Sequence, residues 1–263
     1  MQMGTRRFGR FNWLGLYTLS GREVQRFLVV WTQTLLAPLT TAALFMMIFT
    51  LAIGPNRGEV MGVPFATFIA PGIVMMTVIQ NAFANTSSSI VISKVQGNIV
   101  DTLMPPLSPL ELVVGFLTGG VARGICIAVL LCIGLAVFRG IMPYSVVWTL
   151  TFVVVGATLL GAIGIVAGIY AAKFDQMAAI TNFIVTPLAF LSGTFYSVEA
   201  LPPVIRELTH FNPIFYLIDG TRYGLLGVSD TAPTTALIIS GLTTVAISAL
   251  AWLMFKTGYR LKN

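Results

Sequence analysis

What this chain most lacks is charge. Of its 263 residues, 15 are lysine or arginine and nine are aspartate or glutamate, 9% in all, against about a quarter in a soluble domain. With 56% hydrophobic residues, that scarcity points to an integral membrane protein with room for several spans of about 20 residues. Histidine is nearly missing: the one present is His210. A catalytic histidine needs an oriented partner and a nucleophile. Glu207 and Asp219 share its segment, but Thr209 and Ser197 complete no recognisable triad, so His210 reads as a polar residue at the membrane surface. The sequence has no glycine-rich phosphate loop with its lysine and no cluster at metal-ligand spacing. No catalytic, cofactor-binding or metal-binding residues are therefore expected. Cys126 and Cys132 lie in one apolar run and read as packing residues. The net charge of +6 forms no basic stripe interleaved with aromatics, so no nucleic-acid partner is expected.

What is present is a series of long apolar runs. Six are evident, at 27–53, 63–84, 111–138, 144–172, 178–196 and 234–255. Each is long enough to cross a bilayer as a helix, and runs this continuous are not barrel strands. The expected fold is therefore an all-α membrane protein with six transmembrane helices in one domain, 1–263. Pro38, Pro71 and Pro187 fall inside runs, and each marks a kink. The start, TRRFGRF at 5–11, superficially resembles a twin-arginine signal. Polar GREVQR follows it, so the first span is expected to serve as both targeting signal and anchor.

Orientation follows from lysine and arginine. If both termini are cytoplasmic, that side carries Arg6, Arg7, Arg10, Arg22, Arg26, Lys94, Lys173, Lys256, Arg260 and Lys262, against Arg57, Arg139, Arg206 and Arg222 on the other. Ten to four favours cytoplasmic termini and puts the loop at 85–110 in the cytoplasm.

Two segments are neither span nor simple loop. Residues 8–26 mix aromatics and arginines, and Phe11, Leu14, Tyr17 and Thr18 fall on one helical face. They read either as a helix lying in the interface or as a basic flank. Residues 197–231 are apolar but interrupted by Pro202, Pro203 and Pro213, and read as short helices dipping into the outer leaflet. Small-residue pairs, Gly115–Gly119, Gly120–Gly124 and Gly164–Gly168, mark close helix packing. Arg123 is the one formal charge well inside a span, where it costs about 2.5–3.5 kcal/mol. It is either a residue of a polar path or gate, or an arginine that snorkels to the headgroups. In the cytoplasmic loop, Gly97 starts a turn, NIVDTLM makes about two helical turns, and Pro105 and Pro106 stop it. The result is either a docking element for a cytoplasmic partner or a plain loop.

Four stretches resemble the integral-membrane subunits of ABC-2-type transporters, in particular small bacterial permeases of about this length paired with a separate ATPase. They are REVQRFLVVWTQTLLAP at 22–38, FIAPGIVMM at 68–76, NIVDTLMPPLSP at 98–109, and the C-terminal stretch 186–227 with Gly193, Phe195, Pro202, Asn212, Pro213, Tyr216 and Arg222 in order. The resemblance covers nearly the whole chain. It implies that 8–26 is an interfacial connecting helix, with Arg22, Glu23 and Arg26 near its junction with the first span. It implies that Gly97, Ile99, Asp101, Leu103, Pro105 and Pro106 belong to a coupling helix seated on the ATPase. Residues 197–222 become re-entrant outer helices. Two copies of the chain would form the pore in a bacterial inner membrane, in contact with lipid. Each would sit on one of two ATPase subunits, which bind the ATP and magnesium. Asp101 and Thr102 stand where relatives often carry two acids.

The leading expectation is a permease exporting an amphipathic molecule: a lipid, glycolipid or hydrophobic drug. Polysaccharide export stays open through Trp31, Trp148 and Phe190. A self-driven carrier would need intramembrane acids, whereas Glu111 and Asp175 sit at span ends. A scaffold without transport is the remaining alternative.

Overall fold

The computed structural model describes residues 11–54, 57–198 and 201–261. Arg6, Arg7, Arg10 and Lys262 of the charge count, and the start of the expected interfacial segment, lie outside them. Ten helices follow one another: α1 (Trp13–Val29), α2 (Thr32–Ala52), α3 (Phe65–Val95), α4 (Ile99–Leu103), α5 (Pro109–Arg139), α6 (Val146–Tyr170), α7 (174–190), α8 (Pro203–His210), α9 (Pro213–Leu226) and α10 (Pro233–Thr257). A two-residue-per-strand hairpin, β1 (Glu59–Val60) and β2 (Val63–Pro64), joins α2 to α3. Its turn residues Met61 and Gly62 both have positive φ, as a tight hairpin connection requires.

Among the described residues, five helices are long and apolar enough to cross a membrane: α2, α3, α5, α6 and α10. The run at 178–196 differs from expectation. Its helix is α7, built from consecutive segments of seven, five and five residues that end at Phe190. Gly193, at φ +73°, lies in the non-helical stretch that follows. The first run, 27–53, is also divided. α1 continues to Val29, past the expected boundary at residue 26, and α2 begins at Thr32. The Thr34 hydroxyl donates to the Phe27 carbonyl, near the end of α1 where helical partners run out, and shares the Val30 carbonyl with the Gln33 and Thr34 N–H groups.

The interior prolines act where they were expected to. Pro38 and Pro187 each follow a five-residue π-turn, at Thr32–Leu36 and Thr181–Val185. Pro71 lies in the first helical turn after a break at Ile69. A wider turn before proline relieves the clash with the carbonyl four residues back.

α3 and α6 form the centre of the bundle. In their most apolar stretches 78% and 72% of residues are buried, against 6% in α2. The two helices meet through small residues, since a Cβ on Gly164 would run into the Thr86 hydroxyl and the Phe83 carbonyl. On the other side of the bundle, α1 lies along α5. Leu19, Glu23 and Phe27, spaced four apart, are its buried face, and Gly115 and Gly119 are the hollows that receive Leu19 and Glu23. The opposite face leaves Leu14 and Tyr17 70% and 78% exposed. Large apolar side chains on a face uncovered by protein suit a helix lying at a membrane interface.

Replacing Gly164 with alanine should lower stability by about 1–3 kcal/mol, because the α3–α6 contact has no space for a methyl group. Gly241→Ala, where a Cβ meets nothing within 4 Å, should be neutral or mildly stabilising. Thermal unfolding of the two variants in one detergent checks this; equal losses would remove the close-packing argument.

Candidate functional site

The loop between α3 and α5 is a built element. Gly97, at φ +73°, turns the chain out of α3, and α4 follows as a single short helix. Ile99, Leu103 and Leu107, spaced four apart, pack on the cluster that contains Leu19, Phe116 and Phe255. Val100, Asp101, Met104, Pro105 and Pro106 are exposed. The return into α5 is a capping box: Ser108 accepts from the Glu111 N–H, and Glu111 Oε2 accepts from the Ser108 N–H at 2.5 Å. Glu111 Oε1 also accepts from the Asn12 N–H at 2.7 Å. The same carboxylate therefore holds the start of α1.

The expected junction residues sit directly behind α4. Arg22 donates to the Thr102 hydroxyl at 3.0 Å and pairs with Glu23 at 3.1 Å. Glu23 is fully buried, pairs with Arg26 at 3.4 Å and accepts from the Ser89 hydroxyl at 2.8 Å. Arg26 reaches on to the Asn85 carbonyl of α3 at 2.5 Å. One chain of polar contacts thus runs from α4 through α1 to α3, around a cavity of about 280 Å³ bordered by Arg22, Glu23, Ser89 and Asp101. The sequence located Arg22, Glu23 and Arg26, but not their partners Ser89 and Asn85, whose distance in sequence hides them.

Arg123 is 9% exposed. Its Nη2 donates to Asn81 Oδ1 at 2.6 Å and its Nε to the Thr34 carbonyl at 3.2 Å. That carbonyl stands four residues before Pro38, which has no N–H to give it. Arg123 borders a second cavity, of about 270 Å³, with Gln33, Thr41, Gln80 and Asn81.

The C-terminal signature residues converge, with one exception. Arg222 is fully buried, donates to the Gly193 carbonyl at 2.7 Å and pairs with Asp219 at 3.3 Å and Asp230 at 3.5 Å. Its guanidinium lies 4.1 Å from the Phe68 ring centroid. It is thus a core residue, whereas the charge count took it as one of the outer-side charges. Asn212 caps α9 and donates to the Ser192 hydroxyl at 2.7 Å. Pro213 opens that helix, and the Tyr216 hydroxyl donates to the His210 carbonyl. Phe195 stacks on Phe49 and Phe190. Pro202, the exception, is exposed beside α8. α9, at 14 residues, is too short to cross, yet it is packed among α3, α6 and α10. The missed residues are Asp219 and Asp230. Asp219 stands three before Arg222, a spacing that places the two on one helical face.

With this geometry in view, the comparisons define the class. The profile of the ABC-2 type transporter family matches residues 15–226, and the chain belongs to that family. It is similar to the inner membrane transport permease YadH of Escherichia coli (strain K12), 36% identical over 251 residues, which are 95% of this chain and 98% of the relative. It is also similar, more distantly, to nodulation protein J of Rhizobium leguminosarum bv. viciae, 22% identical over 237 residues, covering 86% of this chain and 87% of the relative. The chain is a predominantly helical transmembrane permease of the ABC-2 type.

The Glu23 group makes an asymmetric prediction. Arg22→Ala with Arg26→Ala leaves a buried carboxylate unpaired and should cost about 3–5 kcal/mol. Glu23→Gln leaves two guanidinium groups, 46% and 31% exposed, free to turn to water, at a cost nearer ~1 kcal/mol. Thermal unfolding of both variants in one lipid nanodisc checks the order; a reversed order would contradict the assignment of Glu23 as the desolvated partner.

Proposed function

We propose that this chain is the membrane subunit of an ATP-driven exporter of amphipathic molecules, in a bacterial inner membrane, with a separate ATPase docked on α4. The observation that carries the reading is the construction of α4. One face is anchored by Ile99, Leu103 and the Thr102–Arg22 contact, while Val100, Asp101 and Met104 are exposed. An element fixed from behind and open in front suits a docking role. The polar chain through Glu23 and Arg26 gives force at that element a route to α3. ATP and magnesium belong to the partner in this reading, and ATP binding biases a two-state packing of the bundle.

α7 serves as the sixth crossing; its 17 residues reach about 25 Å, the short end of the range for a span. The charge count supports cytoplasmic termini. A second copy of the chain is supported by the bareness of α2, 6% buried in its apolar stretch, and of Phe183, 82% exposed on α7. Polysaccharide export is the second reading, favoured by the stack of Phe49, Phe195 and Phe190, since sugar faces pack on aromatic rings.

Purification of the tagged chain from its native host in mild detergent should bring an ABC ATPase with it. Asp101→Arg with Met104→Arg, both exposed positions, should abolish that association and leave the thermal stability unchanged. Retention of the ATPase by this variant would sink the docking role of α4.

A further inference from the structure

The Arg123 cavity adjoins an apolar one. The first, about 270 Å³, is bordered by Gln33, Thr41, Gln80, Asn81 and Arg123. The second, about 610 Å³, lies between α2, α3 and α5 and is bordered by Met46, Leu51, Val74, Leu130 and Leu135. Ala42 and Ile73 border both. The apolar cavity extends from that shared wall towards Phe138 and Arg139, at the end of the bundle opposite α4.

The polar cavity carries an uncompensated charge. Arg123 has neutral partners, the Asn81 amide oxygen and the Thr34 carbonyl, and among the described residues no ion pair reaches it. The ionised neighbour whose field acts on it is Arg26, of the same sign. A buried cation without a counter-ion is costly, and an anion entering the cavity relieves that cost. The polar cavity is small for a whole ligand, since ligand sites run from about 300 to 1,000 Å³. It suits a headgroup, and the adjoining apolar space suits one chain.

We propose that these two cavities are the halves of one site for a single-chain anionic amphiphile. Its phosphate or carboxylate is held by Arg123, and its chain lies between α2, α3 and α5. The inference rests on the reading of the chain as an exporter of amphipathic molecules, and it narrows the substrate class to anionic ones. Gln33, Thr41 and Gln80 supply hydrogen bonds to the headgroup. In the proposed topology, with α4 in the cytoplasm, the chain points outward and the headgroup follows it.

The test uses the full chain in phosphatidylcholine nanodiscs, without the ATPase. The probes are a lysophosphatidic acid with a photoreactive diazirine in its chain and the uncharged monoacylglycerol with the same chain. After illumination, the lysophosphatidic acid should label α2 and α5 peptides of the apolar cavity saturably. The monoacylglycerol should label them roughly 10- to 100-fold less, the worth of a charged hydrogen bond. Arg123→Gln should bring the first probe down to the level of the second, and Arg123→Lys should restore part of the difference. Arg139→Gln, at the far end of the apolar cavity, tests whether the headgroup sits there instead, and Arg206→Gln on α8, which borders neither cavity, should change nothing. Unlabelled lysophosphatidic acid should compete, and inorganic phosphate should not.

Equal labelling by both probes in the unaltered chain would overturn the proposal without recourse to any variant. Loss of labelling in Arg139→Gln alone would overturn it as well, by moving the headgroup to the other end. Displacement by inorganic phosphate would make Arg123 a site for a free anion and end the two-part assignment. Because the readout needs no ATPase, a failed association at α4 leaves this result standing, and a failed labelling leaves the docking result standing.

Discussion

A carbonyl without a helical partner in apolar surroundings must be met by the protein itself, and here cations meet it repeatedly. Lys94 donates to the carbonyls of Ile169 and Ala171, Arg123 to that of Thr34, Arg222 to that of Gly193 and Arg260 to that of Tyr170, and Arg26 adds a bond to the Asn85 carbonyl inside α3. Three of these contacts gather at the end of α6, where Lys94 and Arg260 sit on carbonyls that the helix leaves open and complement its dipole. In a chain with 15 basic residues, placing a third of them on main-chain oxygens shows what the scarce charge is for. It closes helix ends and breaks, and fixes how helices abut.

The two ends of the bundle solve one problem with opposite chemistry. Around Glu23 a single buried acid gathers two arginines that keep part of their surface in water. Around Arg222 a single buried base gathers two aspartates, an aromatic face and a carbonyl. Asp219 in turn accepts from the Asp230 and Thr231 N–H groups, so the segment entering α10 is tied to α9. Each cluster joins elements far apart in sequence, and loss of its partners leaves the central buried charge, Glu23 or Arg222, to bear the full cost of burial.

Much of the helical frame was legible because apolar length is a strong signal: α5, α6 and α10 fall within a few residues of their runs, while α3 continues to Val95, well past its run's end at residue 84, through polar residues that apolar length does not register. The division at Val29–Thr32 was hidden because both sides of it are apolar, and hydropathy cannot see a bend. α7 was over-read for the same reason: Leu191, Phe195 and Tyr196 extend the apolar run but not the helix. The stretches TQTLLAP and TNFIVTP, each a threonine six residues before a proline, both became π-turns, a likeness that a search for whole repeated spans passes over. At the candidate site, Arg123 was visible as a charge out of place, and Arg22, Glu23 and Arg26 through the family resemblance. Their partners were not, because Ser89, Asn85 and Asn81 are ordinary residues in an apolar helix until the fold sets them opposite an arginine.

The two oxygens of Glu111 serve three segments: the N–H of Asn12 before α1, the N–H of Ser108 leaving the α4 loop, and the first turn of α5 to which the residue belongs. The loop therefore has no slack at its return. A displacement of α4 does not spread into flexible chain, because the return point is shared with the roots of two long helices. Mechanically α4 is a strut, and its motion is divided at once between a helix lying along the bundle and a helix running through it.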